Sequence, residues 1–115
     1  MDTVTFGRTG LNVSVMGLGC GGPSRLGQRT DKSDAESINI VKTALDAGVN
    51  FFDTAESYGT ESLVGEALKG VDRSKIVIST KKSHLREVSP ALLREGVEAS
   101  LKRLQTDYID IYSLH

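Results

Sequence analysis

Asp53, Tyr58, Lys81 and His115 sit at or just behind the ends of successive apolar runs. The runs are NFFDTA (Asn50–Ala55), IVISTK (Ile76–Lys81) and YIDIYSLH (Tyr108–His115). Asp53 lies near the end of the first, with Tyr58 in the loop behind it; Lys81 closes the second and His115 the third. If the runs are parallel strands, their carboxyl ends share one face, where barrels carry their chemistry. A carboxylate, a phenol, an ammonium and an imidazole would then meet on one rim. That set suits acid–base work. A phenol is protonated at neutral pH and can donate, and a nearby ammonium favours the phenolate left behind.

The elements that must position these groups follow from patterning. Val4–Phe6 and Leu11–Val15 flank Gly7-Arg8-Thr9-Gly10, a hairpin signal. VSVMGLG (Val13–Gly19) reads as a continuing first strand, and Cys20–Lys32 as a polar loop without periodicity. Ser33 to Glu36 is a capping box. The helix behind it presents Ile38, Val41 and Leu45 and ends at Gly48. A second helix carries Leu63, Val64, Ala67 and Leu68 and ends at Gly70. Ser89-Pro90 opens a third, striped by Leu93, Val97, Leu101 and Leu104. Strands alternating with amphipathic helices argue for an α/β chain with a parallel sheet.

Strand alternation sharpens the rim. Placing Lys81 inward puts Ser79 and Val77 with it. His115 brings Ser113, Ile111 and Ile109, and Asp53 brings Phe51 and Ala55. Asp110, Tyr108 and Tyr112 then face the helices, Asp110 in a hydrogen-bonded structural role and the tyrosines as packing residues. Glu61 is expected to be structural, favoured by the start of its helix. Asp107 reads as a turn residue and His84 as a solvated loop residue.

Bulk properties exclude other classes. The chain has 115 residues, one domain by length, with 38% hydrophobic and 25% charged residues. A net charge of −1 gives no basic excess for nucleic acid. No apolar run is long enough for a membrane span, and MDTVTFGRTG has no apolar signal core. The single cysteine, Cys20, cannot form an internal disulfide. A cytoplasmic setting is the default expectation.

Gly17, Gly19 and Gly22 fit the dinucleotide pattern G-x-G-x-x-G. That motif needs a helix opening at the glycines and an acidic residue roughly 20 residues on. Pro23 and a polar stretch intervene before Ser33, and Asp53 lies 31 residues past Gly22. The pattern is set aside.

GLNVSVMGLG, AGVNFFDTAESYGTESLVGEAL, IVISTK and TDYIDIYSLH together resemble the aldo-keto reductases, in family order and spacing. Gly48–Leu68 is the most specific stretch. The resemblance implies a parallel (β/α)8 TIM barrel. Residues 1–115 would be its N-terminal half: the hairpin, strands one to four and three intervening helices. It implies NADPH-linked reduction of aldehydes or ketones, with Asp53, Tyr58, Lys81 and His115 as the catalytic set. The family's Thr-Lys pairing and strand parity select Lys81 over Lys82. Tyr58 would donate the proton, Lys81 tune it, Asp53 hold Lys81, and His115 orient the carbonyl oxygen. Gly19, Cys20 and Asp53 would contact the NADPH cofactor; no metal is required.

An eight-stranded barrel needs about 250 residues. The chain is therefore expected to be incomplete, inactive alone and prone to self-association. Alternatives are a non-catalytic half-barrel fragment and a regulatory or binding protein on the same scaffold.

Overall fold

The computed structural model describes residues 1–83 and 88–115. An antiparallel hairpin of β1 (Thr3–Thr5) and β2 (Asn12–Ser14) comes first. Then follow β3 (Leu18–Gly19), α1 (Asp34–Asp46), β4 (Phe51–Asp53), α2 (Glu61–Ala67), β5 (Val77–Lys82), α3 (Pro90–Leu104) and β6 (Ile111–Leu114). Strands β3 to β6 form one parallel sheet in chain order. The chain thus builds the N-terminal half of a parallel (β/α)8 barrel.

Local signals explain the helix limits. Ser33 Oγ accepts from Glu36 N at 3.2 Å, while Glu36 Oε2 accepts from Ser33 N at 2.9 Å, closing the box that starts α1. Ser89 caps α3, with Pro90 in its first turn. No helix opens at Gly17–Gly22, because α1 waits for the Ser33 cap. The dinucleotide pattern is therefore coincidental in this fold.

The helices cover one face of the sheet. Phe52 and Ile78 are fully buried there against Val41, Val64 and Leu104. Burying each such side chain stabilises the fold by roughly 1.5–3 kcal/mol. Two glycines set the approach distances. A Cβ on Gly65 of α2 would lie 2.7 Å from backbone atoms of Arg103 and Leu104. A Cβ on Gly96 of α3 would lie 2.5 Å from Lys82 Cδ and 2.8 Å from the Tyr112 hydroxyl. The leucine stripe of α3 thus runs beside a buried small-residue seam, Gly96 and Ser100, that the apolar pattern does not reveal.

The hairpin is pinned to the sheet by Asn50. Its Oδ1 accepts from Ser14 N at 2.7 Å and its Nδ2 donates to Asn12 O at 3.0 Å. The rings of Phe6 and Phe51 meet at 5.7 Å.

Three local expectations change. Val13–Gly19 is not one strand, because Ser14 turns to serve Asn50 and its Oγ donates to Met16 O at 2.7 Å. Ile109 packs against the helix-side core rather than the inner face. It precedes the β6 ladder, so period-two counting back from His115 does not reach it. Tyr108 is not a packing residue: it is 42% exposed, with the Arg73 guanidinium 3.9 Å above its ring. Asp110 does hold the structure, accepting from Ile78 N at 2.8 Å and Arg73 Nη2 at 2.7 Å.

Candidate active site

Register brings the rim together. Asp53 pairs with Gly19 on one side and Ser79 on the other, and Lys81 pairs with Ser113. Paired residues of parallel strands share a face, so Asp53, Ser79, Lys81 and Ser113 point away from the helices. The inner-face reading of these residues therefore holds.

Lys81 Nζ donates to Asp53 Oδ1, Asp53 Oδ2 and Thr54 O, each at 2.8 Å. Three acceptors match the three donors of an ammonium. Ser79 Oγ donates to Asp53 Oδ1, also at 2.8 Å. The ammonium lies 5.4 Å from the centre of the Tyr58 ring.

Tyr58 ends a single 3-10 turn, Glu56–Tyr58, followed by left-handed Gly59 at φ 72°. His115 follows β6, and its N–H donates to Lys82 O at 3.0 Å. The two rings meet edge-on, 5.4 Å between centres and 86° between planes. Ser57 Oγ lies 3.1 Å from His115 Nδ1. That contact engages one ring nitrogen and leaves Nε2 as the other polar edge. The structure thus gathers all four sequence-derived candidates on one rim.

Further residues brace this cluster. Glu56 takes Lys82 Nζ on both oxygens at 3.0 Å and also Ser83 N at 3.0 Å. The Ser83 N–H, and then Lys82, hold its carboxyl below the usual carboxylate range. Below the turn, Thr60 Oγ1 donates to Cys20 O at 3.0 Å and meets Thr54 Oγ1 at 3.0 Å. Glu61, 1% exposed, accepts from Thr80 Oγ1 and from Arg103 Nε, both at 2.6 Å. The structural role expected of Glu61 holds: it opens α2 and forms a buried ionic link to Arg103 beside Thr80. Apart from Glu61, these braces carry no motif of their own. Only the proximity of Glu56 and Ser57 to Tyr58 could have drawn attention to them.

Gly19 and Cys20 differ sharply. Gly19 is exposed beside Asp53, and a Cβ there would meet nothing within 4 Å. Cys20 is fully buried, with its N–H on Asp53 O at 2.7 Å. Burial first, and the Asp53 charge second, push its thiol up to about 12. The Cys20 backbone supports the Asp53 loop, and its thiol is enclosed. His84 lies outside the described residues. A groove of about 630 Å³ between the ends of α2 and α3 lies on the helical layer, away from this rim. No described helix is long and apolar enough to cross a membrane.

Comparison with known proteins gives a consistent result. The sequence model of the aldo/keto reductase family matches residues 16–115. An uncharacterized oxidoreductase, YrpG, of Bacillus subtilis (strain 168) is 38% identical, over 100% of this chain and 40% of its own length. The probable aldo-keto reductase 1 of Glycine max is 40% identical, over 100% of this chain and 36% of its own length. The holo form of aldo-keto reductase AKR11C1 from Bacillus halodurans superposes with a TM-score of 0.83 at 36% identity. That match covers 100% of this chain and 40% of the other. The chain thus spans well under half the length of these relatives.

Proposed function

We propose a function from one premise: the chain belongs to the aldo/keto reductase family, a family of oxidoreductases. The proposed activity, for a complete barrel that includes this segment, is NADPH-dependent reduction of small aldehydes or ketones. The observation that supports it most is the Asp53–Lys81 pair lying beneath Tyr58, with His115 edge-on to the same ring.

The exposed floor at Gly19 and Asp53 fits the nicotinamide end of NADPH, since no side chain fills the space above Gly19. NADPH supplies a hydride to the carbonyl carbon when bound. Tyr58 donates its hydroxyl proton to the carbonyl oxygen. Lys81 stabilises the phenolate by charge, and Asp53 with Thr54 O fixes where that charge sits. His115 presents Nε2 to the same oxygen while Ser57 engages Nδ1. Electrostatic donors fixed in advance suit charge that develops on oxygen.

The test is loss of NADPH absorbance with a panel of small aldehydes, using this segment within a complete barrel. Tyr58→Phe should cut turnover by about 10²–10⁴-fold, the usual worth of general acid catalysis. Undiminished turnover in Tyr58→Phe would end the proton-donor assignment. The 115-residue chain by itself is expected to show no turnover.

A further inference from the structure

We propose that Arg25 is a positioning residue that sets the place of the Tyr58 phenol. The inference rests on the reading of Tyr58 as the proton donor. Arg25 lies in the aperiodic loop between β3 and α1, which the sequence pattern leaves without a role. Arg25 and Leu26 are consecutive non-glycine residues in the left-handed region, at φ 47° and 57°. Side chains disfavour that conformation. The loop holds it through Leu26, 5% exposed in the core, and through Gly27 N on Ser24 O at 2.9 Å.

This bend lays Arg25 over the Glu56–Tyr58 turn. Its Nη1 donates to Ser57 O at 2.8 Å and to Tyr58 O at 3.0 Å. Carbonyls at the end of a helical turn lack partners within it, and a planar guanidinium suits converging acceptors. The same loop meets the Tyr58 ring through Gly21. A Cβ on Gly21 would lie 2.6 Å from Tyr58 Cε2 and Cζ. Tyr58 is thus gripped at its carbonyl by Arg25 and at its ring by the Gly21 backbone.

The alternative is an arginine that only satisfies two surface carbonyls. It accounts for the hydrogen bonds. It does not account for one loop contacting both the backbone and the ring of the proposed donor, in a conformation unfavourable for Arg25 itself. Arg25 makes no described hydrogen bond or ion pair with Asp53, Lys81 or His115. Its effect on the rim therefore runs through Tyr58.

The test incorporates 3-fluorotyrosine into the complete barrel, with the resonances assigned by their loss in Tyr58→Phe, Tyr108→Phe and Tyr112→Phe. Arg25→Ala should shift or broaden the Tyr58 fluorine signal and leave those of Tyr108 and Tyr112 in place. Arg25→Lys should restore it in part; Arg25→Gln substitutes if the alanine variant does not fold. In the complete barrel, Arg25→Ala should lower kcat by about tenfold to a hundredfold, as small misplacements of a reacting group do, with KM for the carbonyl unchanged. In a Tyr58→Phe background the same change should cost nothing further. An unmoved Tyr58 resonance, or equal losses in both backgrounds, overturns the proposal. A wild-type barrel that reduces no carbonyl defeats the proton-donor reading instead, and the fluorine signal still decides whether Arg25 holds the ring.

Discussion

Asp53 receives the Lys81 ammonium on both carboxylate oxygens at 2.8 Å, across adjacent parallel strands. The pair is half-buried, so its main consequence is placement of charge rather than stability. In a complete barrel, Lys81→Met should lower kcat/KM by about tenfold to a thousandfold, because the phenolate loses its stabilising charge. Asp53→Asn should lose less, since Thr54 O and the amide oxygen still receive the ammonium. Steady-state kinetics of the two variants checks the order. A larger loss in Asp53→Asn than in Lys81→Met would reverse the roles assigned to the pair.

Glu61 is the buried member of an ion pair whose partner, Arg103, keeps about a third of its side chain in water. Glu61→Ala would strand Arg103 and Thr80 Oγ1 on the helical side of the sheet. Breaking a buried pair costs about 3–5 kcal/mol, and the exposure of Arg103 moves the expectation to the lower end. Urea unfolding measures it. A loss below about 1 kcal/mol would mean that water replaces the carboxylate readily.

How far the sequence reaches is visible at particular residues. Alternation places Asp53, Ser79, Lys81 and Ser113 on one face because a strand has a fixed period of two and the ladder enforces it. Ile109 escapes the rule because it lies outside the ladder. Ser33, Gly48 and Ser89 mark their helix ends because caps are local chemistry. Arg25, Thr60 and Glu61 act across chain separations that no local window covers: 33 residues for Arg25 with Tyr58 O, 40 for Thr60 with Cys20 O and 42 for Glu61 with Arg103. Their roles depend on which backbone or side chain the fold brings opposite, and that information is tertiary. Val77 shows the converse: it is inward by parity, yet 5% exposed, while Phe51 and Ile111 on the same face are only half-buried.

Cys20 should be inert in the native protein. Its thiol is pushed from an ordinary 9.0 to about 12, so the reactive thiolate is scarce at pH 8. Dithiobisnitrobenzoate should label it only after guanidinium is added. The linkage has a definite sign: between pH 9 and 12 the unfolded thiol ionises while the folded one holds its proton. The unfolded state then binds fewer protons, so stability falls as pH rises through that window. Cys20→Ala should show a shallower fall than wild type over the same range. Rapid labelling of the folded protein at pH 8 would contradict the enclosure of the thiol.

The 115-residue chain on its own is expected to self-associate through its sheet edges. Strand β3 ends the described sheet on one side and β6 on the other, each with one unpaired flank. Unpaired strand edges invite pairing with another chain. Apolar side chains lie beside both flanks: Val15 and Met16 before β3 are 59% and 56% exposed, and Leu114 in β6 is 61% exposed. A charge at an edge opposes such pairing, so Leu114→Lys should reduce association without altering the core. Light scattering after size exclusion reads both proteins. A wild-type monomer at 12.4 kDa with a cooperative melt would refute the expectation and show that the two edges are protected in solution.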